Sequence, residues 1–267
     1  MDRFVTFRRT AALVVALVTA CLVAPSPAGA ATTWWKPKAS GSLTWQIQFT
    51  GRLNLDVPAR VFDVDGDGTT KAQVAALHRK GAKVVCYVSA GSYEDWRADA
   101  ARFPAEVLGA ALDGWPGERW LDVRRWDVLG PIMKARFQAC RAKGFDAVDP
   151  DNVDGYANAN GLGLTGSDQL AYNRRIANLA HSLGLAVGLK NDLDQIPALV
   201  PYFDFAVNEQ CAYYRECRLL TPFVQAGKPV LEIEYEVPPA TFCAESRRLG
   251  LNAIFKRLSL SEYRKAC

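Results

Sequence analysis

Acidic and amide side chains recur at the ends of short apolar runs: Asp63 and Asp65, Asp149 and Asp151, Asn208 and Glu209, Glu232 and Glu234. Tyr87, the pair Lys190 and Asn191, and Lys256 stand in equivalent places. Two carboxyl groups brought to one cleft can share the work of cleaving an acetal. One protonates the leaving oxygen; the other attacks the anomeric carbon, or activates water against it, as positive charge develops there. A single acid of this kind is as readily a satisfied strand end or a helix cap. Their coincidence over several runs points to one shared site. Lys190 and Lys256 are expected to keep some of these acids ionised.

Other chemistries find little support. The only histidines are His78 and His181, both in helical stretches, and no GxSxG occurs. A histidine-rich zinc site, a Ser-His-Asp triad and a Cys-His pair therefore lack their residues. Asp63, Asp65 and Asp67 followed by Gly68 imitate the start of an EF-hand loop, but Val74 falls where the bidentate Glu is required. Gly161, Gly163 and Gly166 satisfy a dinucleotide fingerprint, yet they lie some ten residues past their strand, with Ala186 in place of the ribose-binding acid. They read as a loop before a helix. No metal and no cofactor are expected. Basic residues are interspersed with acids, which argues against nucleic acid as a partner.

The elements that must position the acids follow from periodicity. Apolar runs at residues 44–49, 60–65, 83–89, 146–151, 186–191, 205–209, 229–235 and 252–257 read as eight strands. Helical patterns at 71–80, 128–143, 168–183, 194–200, 219–226 and 239–249 fall between most of them, several ending at a glycine: Gly81, Gly144, Gly184, Gly227 and Gly250. Eight such units predict an α/β chain closed as a (β/α)8 TIM barrel, whose active site lies at the C-terminal ends of its strands. Residues 91–126, with Trp96, Trp115, Trp120, Trp126 and a short extra strand at 120–123, form an elaborated loop after the third strand.

Composition agrees with one globular domain. The 267 residues are 49% hydrophobic and 22% charged, with a formal net charge of +4. Residues 1–30 read as a secretion signal: Arg3, Arg8 and Arg9, an apolar run over 11–23, then Ala28-Gly29-Ala30. The run is too short to span a membrane. The expected mature domain is 31–267, with a net charge of about +2 once three arginines and one aspartate are removed. Processing at Cys21 as a lipoprotein, tethering the chain to a membrane, is the competing reading; otherwise no membrane partner is expected, and the protein is secreted. Export makes disulfides the default for Cys86, Cys140, Cys211, Cys217, Cys243 and Cys267. Fifteen pairings are open. Cys211 with Cys217, close together in one loop, and Cys243 with Cys267 are the natural ones, which leaves Cys86 with Cys140.

The run Asp149-Pro150-Asp151-Asn152-Val153-Asp154-Gly155-Tyr156 is the most informative. With Trp45-Gln46-Ile47-Gln48, Phe62-Asp63-Val64-Asp65, Cys86-Tyr87-Val88-Ser89, Leu189-Lys190-Asn191, Asn208-Glu209-Gln210-Cys211 and Glu232-Ile233-Glu234-Tyr235, it closely resembles the endo-α-1,4-polygalactosaminidase family of glycoside hydrolases. These are secreted (β/α)8 barrels acting on galactosamine-containing polysaccharide. The resemblance implies catalytic carboxylates after the fourth and sixth strands, at Asp151 and Glu209. It implies sugar contacts from Asp63, Asp65, Tyr87, Lys190, Asn191 and Glu232, with Asp154 and Tyr156 beside them. Asp151 is assigned as nucleophile or base and Glu209 as acid. The expected partner is a cationic amino-sugar polymer bound by a monomer, and acids around the cleft suit its protonated amines. The alternatives are another hexose polymer as substrate, or a non-catalytic carbohydrate-binding protein on the same scaffold.

Overall fold

In a computed structural model, which describes residues 1, 2 and 33–267, eight parallel strands form one continuous sheet. They are β1 (Trp45–Gln48), β2 (Val61–Asp65), β3 (Lys83–Ser89), then, after three strands of a separate sheet, β7 (Ala147–Asp151), β8 (Ala186–Lys190), β9 (Phe205–Glu209), β10 (Val230–Glu234) and β11 (Asn252–Phe255). A two-residue strand, β12 (Lys265–Ala266), adds antiparallel to β11. The separate sheet lies between β3 and β7 in sequence: β4 (Ser92–Glu94), β5 (Leu108–Ala111) and β6 (Glu118–Leu121), antiparallel in the order β4-β6-β5.

The large sheet curls as a TIM-like barrel does, but no strand ladder joins β1 to β11. Other bonds close the gap. The Trp45 indole donates to the Asn252 carbonyl, Leu43 N–H to the Asn252 side chain, and Phe49 N–H to the Leu260 carbonyl.

Side-chain alternation divides the core into two layers. Trp45, Ile47, Val61, Val85, Ala147, Phe205, Val207, Leu231, Ile233 and Ile254 pack together as the inner cluster. Gly188 on β8 belongs inside with them: a Cβ there would stand 2.5 Å from the Phe205 ring, so a larger residue would displace it. Their strand neighbours Phe62, Val84, Val148, Val187 and Leu189 pack outward on the helices.

The helices are α1 (Lys71–Arg79), α2 (Trp126–Lys143), α3 (Gly166–Ser182), α4 (Ile196–Leu199), α5 (Cys211–Tyr214), α6 (Thr221–Gln225) and α7 (Pro239–Leu249). Capping boxes at Thr70 with Gln73 and Thr165 with Asp168 start α1 and α3. Gly144, at φ +96°, stops α2 in a left-handed cap. Where helices were expected over 194–200 and 219–226, the α-helical parts are α4 and α6, each preceded by a 3-10 turn. Pro197 with Pro201, and Pro222 with Gly227, leave room for little more than one turn.

The cysteines pair as Cys86–Cys140, Cys211–Cys217 and Cys243–Cys267. The secretion signal at 1–30, the alternative lipid site at Cys21 and the first residues of the expected mature domain lie outside the described residues, apart from residues 1 and 2.

Candidate active site

The C-terminal ends of β7, β8 and β9 set three charged side chains against one another. Lys190, 2% exposed, donates from Nζ to Asp151 Oδ1 at 2.9 Å and lies 3.1 Å from Glu209 Oε2. Those two oxygens are therefore no farther apart than the two contacts laid end to end, about 6 Å. Both acids have further donors. The Tyr87 hydroxyl donates to Asp151 Oδ2 at 3.0 Å, Asn152 N–H donates to Asp151 Oδ1 at 2.8 Å, and the Tyr235 hydroxyl donates to Glu209 Oε1.

These positions obey the alternation of the strands. Asp151, Lys190, Glu209 and Tyr235 fall in step with the inward residues Ala147, Ala186, Val207 and Ile233. Just beyond the strands, Asn152, Asn191, Asp192 and Gln210 all have positive φ, between 48° and 62°. Asn and Asp tolerate the left-handed region better than most residues, and the turns they make carry the chain away from the site. Asn191 Oδ1 accepts Glu209 N–H at 2.9 Å, fixing the backbone from which that acid projects.

Burial would discharge Lys190, but the charges of Asp151, Glu209 and Asp149 outweigh it and hold the ammonium well above its ordinary range. Burial raises Asp154 to about 6, with the Asp151 charge adding to it. Below the mouth, Asp63 and Asp149 face each other, fully buried, and no other donor reaches their four oxygens. Two carboxylates in that position retain a proton between them. Burial lifts Asp149 to about 7 and Asp63 well above the usual carboxylate range.

A cavity of about 500 Å³ opens over Asp151 and Glu209. Asp151, Glu209, Tyr87, Lys190, Asn191 and Asp154 all line it. The other expected contacts lie elsewhere. Asp63 is sealed beneath the site. Asp65 bonds to Arg97 at 2.7 Å and does not line the cavity. Tyr156 lines an adjoining groove.

Glu232 requires correction. Its position on β10 alternates with the inward Ile233, so its carboxylate faces the helices, fully buried, and accepts from Ser246 Oγ at 2.9 Å. Burial raises it to about 7. Lys256 also differs: its ammonium reaches the Gln46 side chain and the Ser261 carbonyl, not an acid, and burial lowers it to about 7.

Two cavity residues, Tyr235 and Glu118, were not singled out as site residues by sequence reasoning. Tyr235 shares the parity of Ile233, a signal that was present. Glu118 comes from β6; its Oε2 accepts from Ser92 Oγ at 2.7 Å, and burial raises it to about 7. Trp115 and Trp120 add aromatic surface, and Phe49, Leu258 and Leu260 an apolar wall. One grouping among the described residues has ligand atoms close enough for a metal: Cys211, Cys217, Glu232 and Glu234, within 4.8 Å. Its two sulfurs are bonded to each other, and a disulfide is not the thiolate pair a metal would take.

The model of glycoside-hydrolase family GH114 matches residues 24–267. Aspergillus fumigatus Ega3, solved in complex with galactosamine, is 39% identical, with a TM-score of 0.82 over 88% of this chain and 98% of its own. The glycoside hydrolase domain of Pseudomonas aeruginosa PelA shares the fold at 16% identity and a TM-score of 0.66, over 84% of this chain and 98% of its own. An uncharacterized protein of Deinococcus radiodurans is 29% identical over 246 residues, 80% of this chain and 79% of its own.

Proposed function

Since the chain belongs to glycoside-hydrolase family GH114 and is a glycoside hydrolase, we propose that it cleaves α-1,4-linked galactosamine polymers internally, with Asp151 as nucleophile and Glu209 as acid and base. The observation that carries this reading is Lys190 bridging the two carboxylates at the floor of an open cavity. The galactosamine in the Ega3 structure supports the substrate.

Donor count separates the two roles. Asp151 accepts from Lys190, Asn152 N–H and Tyr87, three donors that leave its oxygens only accepting, as a nucleophilic carboxylate requires. Glu209 has Lys190 on one oxygen and a hydroxyl on the other. A hydroxyl can turn from donor to acceptor, so Tyr235 can accommodate a proton on Oε1. Glu209 gives that proton to the leaving oxygen while Asp151 attacks the anomeric carbon and the glycosidic bond breaks. Glu209 then takes a proton from water, whose oxygen displaces Asp151. The two oxygens that share Lys190 lie no more than about 6 Å apart, a spacing that supports this double displacement over the roughly 6.5–9.5 Å between groups that admits a water.

Residues 1–30 as an export signal and 31–267 as a secreted, monomeric catalytic domain complete the reading. The three disulfides support an oxidising destination.

Incubating the mature protein with deacetylated galactosaminogalactan tests the proposal. New reducing ends and short oligomers are expected from the native chain, and none from Asp151→Asn or Glu209→Gln with the fold intact. Full activity in either variant would refute the assignment.

A further inference from the structure

Behind the active site, on the helix-facing side of the same sheet, Cys211, Cys217, Glu232 and Glu234 bring two sulfurs and two carboxyl groups together. All four residues are buried, and one ligand atom of each lies within 4.8 Å of the others. The alternation of β10 puts the acids there: Ile233 and Tyr235 face inward, so Glu232 and Glu234 face out.

Neighbours satisfy only part of each carboxyl group. Glu232 Oε1 accepts from Ser246 Oγ at 2.9 Å and lies 3.8 Å from Cys217 Sγ, while Glu234 Oε1 accepts Ala212 N–H at 2.7 Å. Among the described residues, Glu232 Oε2 has no partner and Glu234 Oε2 has none of ordinary geometry, although Tyr213 N–H stands beside that carboxyl group. The charges that act on Glu232 are those of Glu234 and Glu245, not of a cation. Two acids sealed side by side, with spare acceptors and no counter-ion, are an arrangement that packing alone disfavours.

In the oxidised chain the two sulfurs satisfy each other. Once that bond is broken, the cluster offers two thiolates and two carboxylates. Four such ligands suit zinc: calcium and magnesium take oxygen alone, and copper(I) prefers sulfur alone. Tetrahedral ligands at about 2.3 Å for sulfur and about 2.1 Å for oxygen stand roughly 3.5 Å apart, so the widest pair here has to close by about 1.3 Å while the sulfurs part.

We propose that the reduced chain holds one zinc ion at Cys211, Cys217, Glu232 and Glu234, and that this metal and the disulfide exclude each other. The disulfide closes the segment after β9 on itself, whereas the metal pins that segment to β10, directly behind the contact between Glu209 and Tyr235. The site does not depend on which polymer the hydrolase cuts.

Forming it takes two steps. A trialkylphosphine supplies the electron pair that breaks the S–S bond; water gives one proton to each sulfur and its oxygen to phosphorus, leaving two thiols and a phosphine oxide. Each thiol then exchanges its proton for the metal, as does any carboxyl group still protonated.

The test is zinc binding by the native chain reduced with tris(2-carboxyethyl)phosphine, measured by equilibrium dialysis and metal analysis, with release of Cys211 and Cys217 verified by alkylation and mass. The reduced chain is expected to bind one ion more than either the oxidised chain or the reduced Cys211→Ser/Cys217→Ser variant, which keeps the cysteines of the other two bridges. Cobalt(II) in the same place is expected to show thiolate-to-metal charge transfer and the intense d–d bands of a tetrahedral site. Glu232→Gln, which can still accept from Ser246, is expected to weaken zinc at least about tenfold. Equal metal content in the three samples, or an affinity that Glu232→Gln changes less than twofold, would overturn the site. The second result is also what zinc caught by the thiols of an unfolded chain gives.

Discussion

The Tyr235 hydroxyl, from the residue that follows β10, donates to Glu209 Oε1 on the neighbouring β9, as the Tyr87 hydroxyl on β3 donates to Asp151 Oδ2 on the neighbouring β7. Each acid therefore carries a phenol on one oxygen and shares Lys190 on the other. Tyr235→Phe removes the hydrogen bond that Glu209 Oε1 accepts when ionised and donates when protonated, worth about 1.5–3 kcal/mol in the ionised form. With the ring retained, kcat is expected to fall about 10- to 100-fold and KM to change less than twofold. Steady-state kinetics on a soluble galactosamine oligomer would check it.

Lys190 is the cation between the two carboxylates, and its loss leaves like charges facing each other in a partly buried site. Lys190→Met is expected to reduce kcat/KM by at least about a thousandfold and to lower the melting temperature. Lys190→Arg should not restore activity, because a planar guanidinium cannot take the place of a compact ammonium held by oxygens on two strands. Activity assays alongside thermal melts distinguish these losses from unfolding.

Retention of the anomeric configuration is the expected stereochemical outcome, given the spacing of Asp151 and Glu209. Proton NMR of a fresh digest reports it: the α-anomer should appear first and the β-anomer only through mutarotation. Immediate β-product would mean an inverting site with a water between the acids.

Stability should decline as pH rises from about 5 to about 8. Asp63, Asp149, Asp154, Asp192, Glu118 and Glu232 all have carboxyl groups raised by burial in the fold, with Asp154 at about 6, Asp149, Glu118 and Glu232 at about 7, and Asp192 at about 8. A raised group binds more protons folded than unfolded. Its stabilising contribution is whole below the unfolded value near 4 and fades as pH climbs through the folded value. Asp99 and Asp122 act in the opposite sense, since Arg136 and Arg124 hold them low against burial, and they weaken the fold only as pH drops below about 4. The melting temperature should peak near pH 5, and Asp63→Asn, which removes one partner of the buried pair, should flatten the decline toward pH 8.

The strands were legible because a parallel barrel buries both faces of each, leaving apolar runs between glycines. The polar ends of those runs located the mouth. The face each residue would present was harder to read. Glu232 and Glu234 look like a strand-end acid pair, yet both point outward, and the residue that meets Glu209 is Tyr235. Counting alternation from Ile233 would have separated them. No local pattern could have placed Asp65, whose partner Arg97 is 32 residues away, or Glu118, which reaches the cavity only through a short antiparallel sheet. Strands such as β4 and β12, three and two residues long, are below the length at which periodicity is informative.

The bridge between Cys211 and Cys217 begins two residues after Glu209 and staples the chain where it leaves β9. It adds to the hydrogen bonds that hold the same segment, from Gln210 N–H to the Ile233 carbonyl and from Ala212 N–H to the Glu234 side chain. Reduction of the bridge would remove one of these ties, so the loop beyond Glu209 is covalently closed only while its two cysteines are joined.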